Sequence, residues 1–331
     1  MIMVGSSFVT VGGSFVEYSG PIVPPEPPVD HYFQLTNRGA SEATLYITSG
    51  SNGMIFVNDE FLGKFSANSQ SSFTVPAGAI VKITGLSPRG NGWDYGTLNS
   101  NSSSNNFSID QFDDSITNPN YMFCKFRGLK SIRSWNGAQN YTALRDTFAF
   151  SSELTTIPAS WQGLENIKQL IGTFNNCALT SIPSTWSTLT SIEDMGDVFN
   201  ICPITTIPST WDFPATLRHM WGTFNGCSSV TAIPNSWSGL ENVTQMSNVF
   251  ENCTGIMTGG NNNIEALSNV TNFNACFFGC SSWTGDGKSI YDYMSIKAIK
   301  VTMHTNTFAG CTNCVGWNEI PDTWGGGKQT L

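Results

Sequence analysis

Charge is scarce in this sequence. Asp, Glu, Lys and Arg make up 12% of its 331 residues, about half of the roughly 25% usual for soluble proteins. Only 15 are basic, against 24 acidic, for a net charge of −9. No basic run occurs, which excludes a nucleic-acid partner, because a phosphate backbone is bound by clustered Lys and Arg. Low charge does not mean disorder here: hydrophobic residues reach 40%, whereas disordered chains pair low hydrophobicity with high net charge. Ser, Thr, Asn and Gly take the place of the missing charges. Long apolar runs are also absent. Nothing approaches the roughly 18 residues of a membrane span, so no membrane insertion is expected. The first basic residue is Arg38, so the N-terminal stretch lacks the positive and apolar regions of a secretory signal. A chain made and left in the cytoplasm is the expectation from that.

Histidine is nearly missing. His31, His219 and His304 are the three, and no short motif pairs any of them with a nucleophile. G-x-S-x-G, H-E-x-x-H and the P-loop pattern do not occur. An enzyme is therefore not expected, and no cofactor. The nine cysteines, Cys124, Cys177, Cys202, Cys227, Cys253, Cys276, Cys280, Cys311 and Cys314, are odd in number in a long chain, unlike a disulfide scaffold. Cys276, Cys280, Cys311, Cys314 and His304 could be read as a zinc site. A repeat period already accounts for two of those cysteines, so no metal is expected. Asp113–Asp114 reads as solvated loop charge, since a calcium site needs a denser run of oxygen ligands.

What the sequence has in abundance is repetition. F-x-x-C occurs at Phe174, Phe199, Phe224, Phe250, Phe277 and Phe308, with degenerate copies at Phe123 and Phe148. Successive phenylalanines lie 25–27 residues apart, and 31 at the last step. I-P-x-x-W keeps the same period at Ile157–Trp161, Ile182–Trp186, Ile207–Trp211, Ile233–Trp237 and Ile320–Trp324. Between the two lies an apolar stripe such as Leu164, Ile167, Leu170, Phe174, or Leu189, Ile192, Met195, Phe199. Its spacings of 3, 3 and 4 predict a short helical or 3₁₀-like segment. Leu154–Ile157, Leu179–Ile182 and Val230–Ile233 predict brief strands, ended by the proline that follows. One such unit cannot bury its own Leu, Ile, Trp and Phe, but stacked units can share a core. The expected fold is a leucine-rich-repeat solenoid of short strands and short helical segments, in about eight 25-residue coils. Phe174, Phe199, Phe224 and Phe250 should form one buried column, with the cysteines beside them as small, reduced, apolar fillers. Irregularity is expected after residue 255, where Gly259-Gly260-Asn261 stands in place of I-P-x-x-W.

These units resemble the BspA-type leucine-rich repeats of bacterial surface proteins. They are still more similar to mycoplasmal lipoprotein repeats, whose W…NVT-M…MF…C pattern is matched by Trp237, Asn242-Val243-Thr244-Gln245-Met246, Phe250 and Cys253. The resemblance spans about residues 105–331 and implies extracellular recognition and adhesion. The signal peptide and lipid-anchor cysteine of the surface members have no counterpart here.

The remaining chain divides into an N-terminal anchoring arm (1–19), a Pro-rich linker (20–30), a small all-β sandwich (31–86) and a Gly/Ser/Asn linker (87–106), with the repeats taken as 107–331. Alternating runs at Tyr32–Thr36, Ala43–Thr48, Met54–Asn58, Ser72–Val75 and Ile80–Thr84 supply the sandwich strands. The Val57–Gly63 turn and Val75-Pro76-Ala77-Gly78 resemble surface β-modules of the PEGA type. In the arm, Phe8, Val9, Val11, Phe15 and Val16 are expected to gain stability only by docking on a partner. The candidate ligand-binding face is a recurring hydroxyl ladder: Thr155, Thr156, Thr180, Ser181, Thr205, Thr206 and Thr231.

Arm, stiff spacer and repeat surface together lead to the expectation of a bacteriophage virion protein, a fibre, decoration or attachment subunit. It would dock on other virion proteins through its arm and present its repeats to a glycan or protein of the host surface. Display in several copies, or as a homo-oligomer, is expected, and localisation in the virion. The alternative is a bacterial cell-surface adhesin of the BspA-type family.

Overall fold

The computed structural model describes residues 7–11, 14–18, 25–27, 30–88, 96–159, 162–184, 186, 190–260, 264–297 and 300–330, with the backbone only for 7–11, 14–18, 264 and 297. Trp161, Leu189 and most of the Pro-rich linker therefore lie outside the described residues. So do the side chains of Phe8, Val9, Val11, Phe15 and Val16. The backbone there forms β1 (Ser7–Val11) and β2 (Ser14–Tyr18), an antiparallel pair in which Val9 faces Val16.

Strands with period-2 burial build the next part. They are β3 (Phe33–Asn37), β4 (Ala43–Ile47), β5 (Gly53–Val57), β6 (Glu60–Phe65), β7 (Ser71–Val75) and β8 (Ile80–Thr84). In β4, Ala43, Leu45 and Ile47 turn inward and are buried, as alternation on a one-sided sheet requires. The segment read from sequence as the Val57–Gly63 turn is a hairpin. Asn58 (φ 50) and Asp59 (φ 66) both take left-handed backbone between Val57 and Glu60. Asn and Asp tolerate that conformation, which matches the twist of the flanking strands. Within residues 87–106, β9 (Leu98–Asn99) pairs with β4, and residues 96–100 are buried. β10 (Phe107–Gln111) and β11 (Leu129–Ile132) follow. One sheet runs β11-β10-β3-β8-β5-β6 and a second β7-β4-β9. The first repeat residues thus join the same sheet as β3, and a single apolar core runs from Phe33 to Trp324.

The structure overturns the expected leucine-rich-repeat solenoid of strands and helical coils. Among the described residues regular structure is mostly β, in sheets of six, three, two and two strands, the last being β12 (Ala232–Ile233) with β13 (Thr258–Gly259). The one α-helix among the described residues, α1 (Gly287–Asp292), has six residues and continues into a π-type turn over Tyr293–Lys297. The apolar stripe taken as helical is a chain of turns. Ile167 N–H donates to Leu164 at 3.1 Å, closing one turn, but Lys168 N–H then turns to Thr142 O of the preceding repeat. Burial runs inward at Leu164, Ile167 and Leu170 and outward at the two residues between each pair. A helix would direct those amides along its own axis; here every third residue is a corner. The brief strands expected at Leu154–Ile157 and Leu179–Ile182 shrink to isolated parallel bridges such as Ser181↔Thr206, while Val230–Ile233 keeps the two-residue β12.

Six-residue turns carry the phenylalanines. In the turn at residues 171–176, alternate amides bond outward and inward. Gly172, Phe174 and Asn176 donate to Gly196, Val198 and Asn200 of the following repeat, while Thr173 and Asn175 donate to Leu170 and Gly172 of their own. Two left-handed positions per turn make this possible, Gly172 (φ 62) and Asn176 (φ 56) in this copy. Rings of Phe123, Phe148, Phe174, Phe199, Phe224, Phe250, Phe277 and Phe308 stack in one column with centroids 5.5–6.0 Å apart. The 31-residue step before Phe308 keeps its 5.8 Å spacing, and the additional chain falls in α1 and the turn after it.

All nine cysteines are unpaired and buried, and burial pushes the Cys202 thiol up to about 12. They do more than fill space. Each repeat thiol donates to the carbonyl of a phenylalanine one repeat back: Cys202 to Phe174 at 3.0 Å, Cys227 to Phe199 at 3.1 Å. Ser151, in a degenerate copy, makes the same bond to Phe123 at 2.9 Å. The position selects a small donor.

Candidate binding face

Of the residues singled out as a hydroxyl ladder, all seven are exposed, and the structure sets them in two adjacent columns. Thr155, Thr180, Thr205 and Thr231 form one. Thr205 N–H donates to Thr180 O, and the hydroxyls of Thr155 and Thr205 bend back onto Lys130 O and Thr180 O at 3.3 and 3.2 Å. Those hydroxyls cap the preceding repeat. Thr156, Ser181 and Thr206 form the other column, bridged as Ser131↔Thr156 and Ser181↔Thr206.

A second face is more continuous, and sequence reasoning missed it. Parallel bridges run without a break through Ala143, Gln169, Asp194, His219, Gln245, Asn272 and Met303. Beside them runs a second column, Lys168, Glu193, Arg218, Thr244, Thr271 and Thr302, in which each amide donates to the carbonyl of the residue one repeat back at 2.8–3.0 Å. Beyond buried Ala143 the side chains are exposed or half-buried, and several hold one another. Lys168 Nζ lies 3.1 Å from Glu193 Oε1, and His219 Nδ1 lies 3.0 Å from Asp194 Oδ2. Asp194 also caps Gly196 N–H at 2.8 Å. Farther along, Gln245 Nε2 donates to Thr271 Oγ1 at 3.3 Å. The face is charged through residues 168–219 and becomes an uncharged amide and hydroxyl surface through residues 244–302.

The sequence did carry a signal for this face. Lys168-Gln169, Glu193-Asp194, Arg218-His219, Thr244-Gln245 and Thr271-Asn272 occupy one phase, the two residues between apolar corners. A helical reading splays such neighbours about 100° apart; the bridged turn points both outward.

A buried carboxylate, Asp146, and a half-buried one, Asp197, form a third column behind the turns. Asp146 is 3% exposed, and burial raises its carboxyl. Asp197 is pushed up to about 6, first by burial and then by repulsion from Asp146. Each carboxylate rests over a glycine of the next repeat: a Cβ on Gly172 would lie 2.1 Å from Asp146 Oδ1, and one on Gly222 2.0 Å from Asp197 Oδ1.

Among the described residues, one group brings metal-ligating atoms together: His31, Asp113 and Asp114. His31 Nδ1 and Asp114 Oδ1 lie 2.6 Å apart, and this hydrogen bond raises the imidazole pKa. Buried Asp113 already accepts from Ser115 N–H and Oγ–H at 2.9 and 2.5 Å. Asp113–Asp114 is thus half fold and half surface, not simply a solvated loop pair. Cys280 and Cys311 sit in the thiol column instead, donating to Phe250 O and Phe277 O.

Set beside known families, the repeats match the model described as "Mycoplasma protein of unknown function, DUF285" three times in overlap, at residues 96–211, 168–291 and 195–318. Those matches cover two thirds of the chain. The chain belongs to this family. In this DUF285 member the matched span holds the whole Phe column from Phe123 to Phe308, and both polar faces. No curated protein and no solved structure matches the chain. No helix among the described residues is long and apolar enough to cross a membrane.

Proposed function

We propose that this DUF285 protein is a bacterial surface recognition protein whose polar ladder, from Lys168 to Thr302, binds a glycan of a host surface. The observation that carries the reading is the unbroken run of parallel bridges from Ala143 to Met303. It repeats amide, hydroxyl and carboxylate groups on a backbone that cannot rearrange without breaking the Phe column. Sugar chains are recognised by such hydrogen-bonding groups held in fixed geometry, and a repeating ligand would meet a repeating site. Single contacts on an open face are weak, so display in many copies would supply avidity. Family membership favours the cell surface over a virion, since the virion reading leaned on an arm whose side chains lie outside the described residues.

The test is binding of the purified protein to a glycan array and to host cells, against a Gln169→Ala/His219→Ala/Gln245→Ala variant that leaves Asp194 and its cap intact. The variant should keep the wild-type spectrum and melting temperature and lose at least tenfold in binding. Equal binding by both proteins, or no glycan binding by the wild type, defeats the proposal. Binding to protease-treated cells should persist; its loss would point to a protein receptor.

A further inference from the structure

Among the described tryptophans, Trp221 is the one neither buried in the core nor packed against it. It is half-buried, in the column Gly196, Trp221, Ser247. Asp197 N–H donates to Trp221 O and Gly222 N–H to Ser247 O, both at 2.8 Å, so these residues succeed one another up the stack. A Cβ on Gly196 would lie 2.2 Å from Trp221 Cε2 and 2.5 Å from both Cζ2 and Nε1. Nearly equal distances to a ring-fusion atom and to two of its neighbours put that point over the ring plane, not at its edge. One face of the indole therefore lies flat on Gly196, where a side chain would push it away. Ser247, one repeat on, is too small to cover the opposite face. Among the described residues no hydrogen bond holds the indole N–H, and no second ring stacks on it.

Polar groups of the ladder stand beside this ring. Gly196 N–H, under the indole, donates to Asp194 Oδ1 at 2.8 Å, and His219 Nδ1 lies 3.0 Å from Asp194 Oδ2. A carboxylate only accepts, so the proton they share is carried by Nδ1, and a neutral imidazole keeps Nε2 as an acceptor. His219 is 43% exposed at its side chain and Asp194 13%, so both can be reached from outside.

We infer that Trp221 is a stacking platform for a neutral pyranose, which seats its C–H face on the indole while His219 Nε2 and Asp194 accept from its hydroxyls. The inference rests on the reading of the ladder as a glycan-binding face and places one sugar subsite on it. A pyranose has two chemistries, an apolar face of axial C–H bonds and a rim of hydroxyls. Indole suits the first, since its face is broad and carries the negative side of the ring quadrupole. Acceptors held at fixed positions suit the second. Among the described residues this is where the ladder sets an aromatic face beside such acceptors. An anionic sugar would meet the Asp194 carboxylate at its rim, which is why a neutral one is expected. The subsite therefore lies in the charged stretch of the face, not in the amide and hydroxyl stretch beyond residue 244.

The test uses the full chain and three probes, the methyl β-pyranosides of galactose, glucose and N-acetylglucosamine. Galactitol, which has the hydroxyls but no rigid C–H face, is the control. In ¹H–¹⁵N spectra the indole cross-peak missing from Trp221→Phe should shift saturably with at least one pyranoside, with Kd on the order of 10 mM or tighter. Galactitol should leave it in place. Saturation-transfer NMR on the sugar then compares the variants. Trp221→Ala should weaken binding about tenfold or more, and Trp221→Phe, with its smaller ring, by less. Gly196→Ala keeps the indole in the chain but sets a methyl group against its face, so it should weaken binding too and serves if Trp221→Ala fails to fold. A Trp221 cross-peak that no pyranoside moves, an equal shift with galactitol, or unchanged binding in a folded variant overturns the platform. If the wild type still binds a glycan on the array in any of those cases, the ladder reading survives without it. A wild type that binds no glycan at all ends both.

Discussion

The β-module over residues 33–86 and the repeats that follow it share one core but are held together differently. In the module, β3, β8, β5 and β6 lie antiparallel, and partners come from neighbouring hairpins or from strands a few tens of residues away. Side chains alternate in and out with period 2. In the repeats the partner lies one repeat away, and half the turn amides bond across that gap. Along the apolar stripe, as at Leu164, Ile167 and Leu170, side chains follow a period of three, one in and two out. A module side chain answers to the alternation of its own strand, whereas each Phe of the repeats is packed by its neighbours above and below.

That contrast is broken most strongly at the Phe column. Phe224→Ala should cost about 3–5 kcal/mol and propagate to both neighbours, since the ring stacks on Phe199 and Phe250. Leu45→Ala in the module should cost about 2–5 kcal/mol. Urea unfolding followed by circular dichroism and by tryptophan fluorescence checks both. Because β10 and β11 tie the regions into one sheet, the two probes should give coincident transitions in each variant. Separate transitions would show that the module and the repeats unfold independently.

A smaller break tests the inward hydrogen bonds. Thr223 Oγ1 is buried and donates to Met195 O of the preceding repeat at 3.0 Å or to Met220 O at 2.6 Å. Thr223→Val keeps the shape and should cost about 1–2 kcal/mol in the same unfolding experiment. An effect below about 0.5 kcal/mol would mean that packing alone holds the turns.

The carboxylate column should respond to pH. Burial raises Asp197 from 3.8 to about 6 in the folded protein, so the folded state holds this proton more tightly than the unfolded one. The stability it contributes is complete below pH about 4 and is lost as pH rises through about 6. Asp197→Asn removes that loss, and Asn suits the left-handed backbone, as Asn248 (φ 60) already shows in the same column. With partial solvent screening allowed for, the variant should be about 1 kcal/mol more stable than wild type at pH 7.5. The gain should vanish at pH 4. Thermal melts across pH 4–8 decide it, and a gain independent of pH would rule out titration as the cause.

The smallest effect belongs to the exposed ladder. Lys168→Ala removes a pair with Glu193 in which both side chains are about half exposed, and it should change stability by no more than about 0.5 kcal/mol. A larger loss would make the face part of the scaffold and weaken its candidacy as a binding surface.

Much of this was legible in the residues. The period and the Phe and Cys columns follow from identities recurring at fixed spacing, because a stack places like on like. The module strands were legible from alternation, which the pleat imposes locally. Even the weak copy at Phe148–Ser151 was visible, though its Ser hydrogen bond to Phe123 was not.

The apolar stripe shows where this reading stops. Spacings of 3, 3 and 4 suit a helix and a bridged turn equally, and the two differ in where Lys168 N–H sends its hydrogen bond. That partner, Thr142 O, lies one repeat back. No local pattern names it, and only the stacked fold put the paired residues of the ladder on one outer face. The same limit hid the Asp146 carboxylate over Gly172 and the joining of β10 and β11 to the module's sheet. The sequence by itself determined which residues recur and therefore which stack. The tertiary structure decided which way the backbone between them faced, because its hydrogen-bond partners belong to a neighbouring repeat.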